Sequence, residues 1–161
     1  MIGLAIIAIL LMAGLPSYGT WMQNLQIRNA AEAAHDGLQF ARSEAVRANT
    51  SIALTLGTAT AWTVSVVSSG EILQSRSEKD GSANVTVAAT PGGATTVTFN
   101  GFGRVVANND GSASLTQLDY DVPTTVLPAA ESRNLRVTIG SGGTMRLCDP
   151  NISDTADPRK C

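Results

Sequence analysis

The sequence is short of charge, and the shortage is concentrated at one end. Only 15% of its 161 residues are charged, and none of the first 27 is, Arg28 being the first. Eleven basic against thirteen acidic residues leave a net charge of −2, which disfavours a generally basic nucleic-acid binder. A small net charge with 43% hydrophobic residues argues against intrinsic disorder. Cysteine is scarce: Cys148 and Cys161 alone exclude a disulfide-dense miniprotein. Histidine occurs once, as His35 between Ala34 and Asp36, and reads as a surface or packing residue of a helix rather than a base. No glycine-rich phosphate loop, internal repeat or low-complexity linker is present. The length suits one domain with a modest core. Neither enzymatic chemistry nor a cofactor is expected.

The uncharged end is filled by apolar residues. Met1–Leu15, MIGLAIIAILLMAGL, is interrupted only by Gly3 and Gly14, with Ile2, Leu4, Ile6, Ile7, Ile9, Leu10, Leu11 and Leu15 supplying most of its bulk. Pro16 and Ser17 follow, then Tyr18 and Trp21, aromatic types that favour a membrane–water interface. A spanning helix needs about 20 apolar residues, or about 17 at the short end. The run reaches that only when counted on to Met22, with a helix break expected near Pro16. A cleaved signal peptide would need a basic residue before the run and an A-x-A site after it, and both are missing. A core helix apolar all round would need a larger domain to bury it. Residues 1–22 therefore read as a membrane or filament-core helix.

The helix is expected to continue over 23–49. Seven alanines fall between Ala30 and Ala48, and no proline interrupts, which is strong helix composition. Leu25, Ala31, Ala34, Leu38, Ala41 and Ala45 or Val46 recur at spacings of three and four, marking an apolar stripe. Leu38, Ala41 and Ala45 are the expected contacts to the rest of the protein. Arg28, Glu32 and Asp36 form an i, i+4 series on another face. Gly37 marks a bend or a close contact, and Asn49 a stop. Forty-nine helical residues would extend about 73 Å, longer than a small domain.

From Thr50 onward, alternation replaces the helical period. Strands are expected around Ile52–Leu56, Trp62–Val66, Glu71–Arg76, Val85–Ala89, Thr95–Phe99, Arg104–Ala107, Leu115–Asp121, Leu135–Ile139 and Thr144–Cys148. Turn signals separate them at Ser69-Gly70, Asp80-Gly81, Pro91-Gly92-Gly93, Asp110-Gly111 and Gly142-Gly143. The fold class is α+β: a long N-terminal helix packed on a small antiparallel β-sheet head, residues 50–161. Behind a membrane anchor, in an oxidising compartment, Cys148 and Cys161 read as a disulfide closing a C-terminal loop 148–161. Two free thiols are the alternative; a zinc site would need ligands that the distant His35 does not supply.

An apolar helix broken at LPSY, an amphipathic helix ending LQFARSEAVRAN, a β head and a C-terminal cysteine loop together resemble the type IV pilin superfamily. LQFARSEAVRAN resembles the GspH/FimT type of minor pilins and pseudopilins in particular, and MRLCDPN with the closing DPRKC resembles the tails of FimT- or FimU-like members. The resemblance implies a single-pass inner-membrane protein with a periplasmic head, which passes into a pilus or pseudopilus tip. It implies a structural role in initiating or capping type IV pilus assembly, or the equivalent role in type II secretion. Implied partners are major and minor pilins and the inner-membrane assembly machinery. Lipid and a bundle of helices are equally apolar, so a segment such as Met1–Leu15 can move between them. The family pattern also has a leader ending in glycine, cut by prepilin peptidase, and a glutamate five residues into the mature chain. Neither residue stands in this pattern here, so the resemblance implies a further segment upstream.

Some relatives of this type capture DNA through basic C-terminal residues, for which Arg146, Arg159 and Lys160 are the candidates here. With Arg133 and Arg136 they face Glu131, Asp149, Asp154 and Asp157, and the alternative is a solvated loop with internal ion pairs. Asn108-Asn109-Asp110-Gly111 carries calcium-type oxygens, but a hairpin turn explains it more simply. Asp119 and Asp121 share one side of a strand and read as solvated edge residues.

Overall fold

A computed structural model describes residues 2–161, with side chains from Tyr18 onward. The helix α1 (Ile2–Ala48) is 47 residues long, about 70 Å at a rise of 1.5 Å per residue. It runs unbroken through Pro16, where a break is expected. A proline costs a helix one backbone hydrogen bond and some crowding, and in α1 that local loss does not end the helix. Its C-terminus falls where the sequence suggests: Asn49 takes a left-handed φ of 47°, and Thr50 N donates to Ala45 O at 3.2 Å, a left-handed cap of the kind asparagine tolerates. Among the described residues no helix is long and apolar enough to cross a membrane. The membrane helix expected from Ile2, Leu4, Ile6, Ile7, Ile9, Leu10, Leu11, Leu15 and Pro16 lies outside the residues whose side chains are described.

The head contains nine strands: β1 (Ile52–Leu56), β2 (Trp62–Val66), β3 (Ile72–Arg76), β4 (Thr86–Thr90), β5 (Thr96–Phe99), β6 (Val105–Val106), β7 (Gln117–Asp121), β8 (Leu135–Ile139) and β9 (Met145–Cys148). Each falls on an expected run, with ends displaced by at most two residues. They form two antiparallel sheets, in the orders β3-β2-β1-β5-β6 and β4-β7-β8-β9. The expected turn pairs all lie between consecutive strands.

Both sheets pack on α1, through β1, β2 and β5 of one and β7, β8 and β9 of the other. The buried stripe of the helix is Ile27, Ala30, Ala31, Ala34, Leu38, Ala41 and Ala45. It meets Ile52, Leu54, Trp62, Val64, Val97 and Phe99 from the first sheet, and Leu118, Tyr120, Val137 and Ile139 from the second. Leu38, Ala41 and Ala45 are all fully buried there. Val46 points away and is half exposed, and Leu25 is only half buried. The stripe follows the 3.6-residue repeat, which turns inward at Ala45 and Ile27 rather than at their apolar neighbours.

Gly37 marks a close contact. A Cβ built there would stand 2.8 Å from two atoms of the Trp62 ring, and Trp62 itself is buried. The indole occupies the space that any larger residue would need. Gly37→Ala would gain up to about 1 kcal/mol of helix propensity. That gain is outweighed by overpacking, which costs about 1–3 kcal/mol. The expected outcome is a lower midpoint of chemical denaturation for Gly37→Ala, with Gly37→Val lower still.

Candidate functional site

Around residues 20–26 of α1, the sequence supplies hydrogen-bonding side chains instead of charges, and two head loops use them. Thr20 Oγ1 donates to Glu131 Oε2 at 2.9 Å. Asn24 is held twice: its amide donates to Glu131 O at 3.0 Å, and its Oδ1 accepts from Arg133 N at 2.8 Å. On another side of the helix, Asn84 N donates to Gln26 Oε1 at 3.2 Å and the Asn84 amide to Gln23 Oε1 at 3.2 Å. The β3–β4 and β7–β8 connections thus grip the helix. Among the described side chains this grip begins at Thr20, leaving Tyr18 and Trp21 exposed as a tilted pair with ring centroids 5.8 Å apart. Sequence reasoning missed the grip. Its only signal was the clustering of Thr20, Gln23, Asn24 and Gln26 where the apolar run ends.

The C-terminal segment is tied down at several points. A disulfide joins Cys148 to Cys161, with Cα atoms 5.1 Å apart. Asp149 N donates to Arg159 O at 2.7 Å and Cys161 N to Asp149 O at 3.4 Å. The Arg146 guanidinium donates to Pro158 O at 2.9 Å and to Lys160 O at 2.5 Å. Lys160 Nζ donates to Ser153 O at 3.0 Å. Arg159 pairs with Asp157 at 2.7 Å. Arg146, Arg159 and Lys160 are therefore brought to one segment, each holding oxygens of that segment.

Arg136 bonds Asp119 at 2.6 Å across the β7–β8 pair, in register with it. The view of Asp119 and Asp121 as solvated edge residues needs correction. β7 lies inside its sheet, so Asp119 has a cross-strand cation opposite it, and Asp121 accepts from Ser132 Oγ at 2.5 Å.

Elsewhere the polar motifs serve the fold. Asn108 is buried, accepting from Thr98 Oγ1 at 3.0 Å while its amide donates to Thr96 O at 3.1 Å. Asp110 Oδ1 accepts from Ser112 N at 2.9 Å, closing the turn. His35 lies half buried beside Gln39, 3.1 Å from its amide. Among the described residues no group of three or more His, Cys, Asp or Glu is placed to hold a metal ion.

A groove of about 410 Å³ runs between α1 and the disulfide tail, with Leu25, Leu135 and Leu147 in its lining and Arg28, Arg133 and Arg159 beside the carboxylates Glu32 and Asp149. Residues 30–156 match the family described as type II transport protein GspH, and the chain belongs to that family. Its fold is that of pilin-like subunits. The type IV minor pilin FimU of Pseudomonas aeruginosa superimposes with a TM-score of 0.56 at 19% identity, over 81% of this chain and 97% of that one. The minor pseudopilin EpsH of the type 2 secretion system of Vibrio cholerae superimposes with a TM-score of 0.56 at 16% identity, over 79% and 99%. No curated protein sequence matches the chain significantly.

The tail yields two expected outcomes. Closing a loop of this size stabilises by about 3 kcal/mol in the chain-entropy picture. Cys161→Ser is therefore expected to lower the stability of the oxidised protein by a substantial part of that amount in urea titrations, with reductant producing the same loss. The second concerns Asp157, whose carboxyl is held down at about 2 chiefly by the hydrogen bond from Arg159. Its folded value lies below the ordinary 3.8, so the pair stabilises the tail above that value and is lost as pH falls through about 2. An NMR titration should place the Asp157 midpoint near 2, returning toward the ordinary value in Arg159→Ala.

Proposed function

We propose that the chain is a structural subunit of a pilus-type filament, a minor pilin that helps to initiate or cap type IV pilus assembly, and not an enzyme. The observation that carries this reading is the division of a single 47-residue helix. Its later half is buried against two sheets and gripped from Thr20 onward. The uncharged run Met1–Leu15 precedes the grip. A segment of that composition is stable in lipid or among other apolar helices, which suits a subunit that rests in the inner membrane with its head in the periplasm and then enters a filament. Its partners on this reading are other pilins and the membrane machinery that assembles them. The three parts of the chain then have separate tasks: residues 1–22 for the membrane or filament core, 23–49 for carrying the head, and 50–161 for the head with its cysteine loop.

A second reading, a minor pseudopilin of type II secretion, is favoured by the description of the matching family. One experiment separates the two. A clean deletion in the source organism is scored both for surface pili and for proteins exported to the medium. Loss of pili with normal export is the expected result. Loss of export with normal piliation supports the secretion reading, and normal values for both overturn the filament role.

A further inference from the structure

We infer that the turn carrying Phe102 is an assembly anchor, a knob that inserts into an apolar pocket rimmed by carboxylates on a neighbouring pilin-type subunit. This inference rests on the filament role proposed above. Among the described side chains Phe102 is the most exposed of the large hydrophobic residues, at 84%, although a turn could carry a polar residue there at no cost to packing.

The turn is built to hold the ring out. Asn100 Oδ1 accepts from Phe102 N at 3.0 Å and from Arg104 N at 3.1 Å. Gly103 N donates to Asn100 O at 2.8 Å, and Asn100 N to Arg104 O at 3.0 Å. Arg42 Nε of α1 donates to Gly103 O at 3.1 Å. Gly103 has a φ of +71°, and a Cβ there would crowd Arg42 and Val46. A Cβ on Gly143, in the β8–β9 turn, would overlap the Gly103 carbonyl. The turn is thus seated on the end of α1 and braced by a second turn. A rigid aromatic loses little conformational freedom on binding, which is the property that makes such residues anchors.

The surroundings indicate the partner. Val46, half exposed, extends the apolar patch toward the helix. Beside it stand Arg42, whose Nε reaches the turn at Gly103 O, and Arg104 of the turn itself. Among the described residues no carboxylate bonds the Arg104 side chain, so a partner would meet a positive rim. A convex, single aromatic calls for a concave apolar pocket. Nucleic acid offers a row of phosphates and would call for several stacking platforms in a basic groove, whereas this chain carries a net charge of −2. The turn also lies by the C-terminal end of α1, with Gly101 against Asn49, at the end far from the apolar run. A subunit held by that run would present Phe102 to the next head along.

The test uses the full chain in the source organism. A photo-crosslinking benzoyl-phenylalanine replaces Phe102, with the same group at exposed Ile72 as control. The expected result is an adduct at position 102 but not 72, with another pilin-type subunit, through a peptide containing Asp or Glu. Phe102→Ala and Arg104→Glu are each expected to reduce filament number about tenfold, the scale of losing one anchor, while the level of disulfide-bonded protein stays unchanged. No adduct at 102, or normal filament number in Phe102→Ala, overturns the inference. So does DNA retardation by the detergent-solubilised chain that both substitutions abolish, since the patch would then be a nucleic-acid surface. Normal filaments in the deletion strain would instead overturn the filament role itself. A deletion that lacks filaments beside a Phe102→Ala strain that assembles them would count against the anchor alone.

Discussion

The head depends on how closely two sheets can approach one helix. Ala30, Ala31, Ala34, Gly37, Ala41 and Ala45 line the covered side of α1. Between them, Ile27 and Leu38 are the only large residues of the stripe. Small side chains bring strands near the helix backbone, and large ones from the sheets fill the remaining space: Trp62 over Gly37, with Phe99 and Tyr120 among the fully buried residues. Close packing of this kind gains many weak contacts per unit area. The same alanines also have the highest helix propensity. One composition therefore serves the length of the helix and the fit of the head.

The polar grip complements that packing at the other end of the contact. Hydrogen bonds of Thr20 and Asn24 to the head, and of Asn84 to Gln23 and Gln26, are individually modest, but they are directional and fix where along the helix the head sits. The apolar stripe alone would leave the sheets freer to slide by a turn. The cysteine tail is held by contacts of its own. Its disulfide, the Arg146 bonds to two of its carbonyls and the Asp157–Arg159 pair hold a chain end that would otherwise fray. Rigidity at this end suits a subunit whose neighbours must find a surface of constant shape.

Family membership follows from a match across most of the chain, while the likeness to FimU and EpsH, below 20% identity, is one of fold. That combination has a physical reading. A helix with one small-residue side and sheets with alternating apolar positions can be written in many ways, because burial tests volume and polarity rather than residue identity. Surface features such as the exposed Phe102 turn lie outside that test.

The sequence by itself determined the elements. The alanine-rich period located the helix and its stop at Asn49, and each alternating run between turn residues became a strand, because local spacing decides which side chains fall on one face. It also led to the type IV pilin resemblance through LQFARSEAVRAN and the tail. Other features were decided only in three dimensions. The division of nine strands into two sheets, the inward turn of Ile27 in place of Leu25, and the cross-strand partner of Asp119 all depend on pairings between distant residues. So does the engagement of Arg146, Arg159 and Lys160 by their own tail. Spacing along a chain specifies a face. What covers that face, or neutralises a charge on it, is set by segments that folding brings together from far apart.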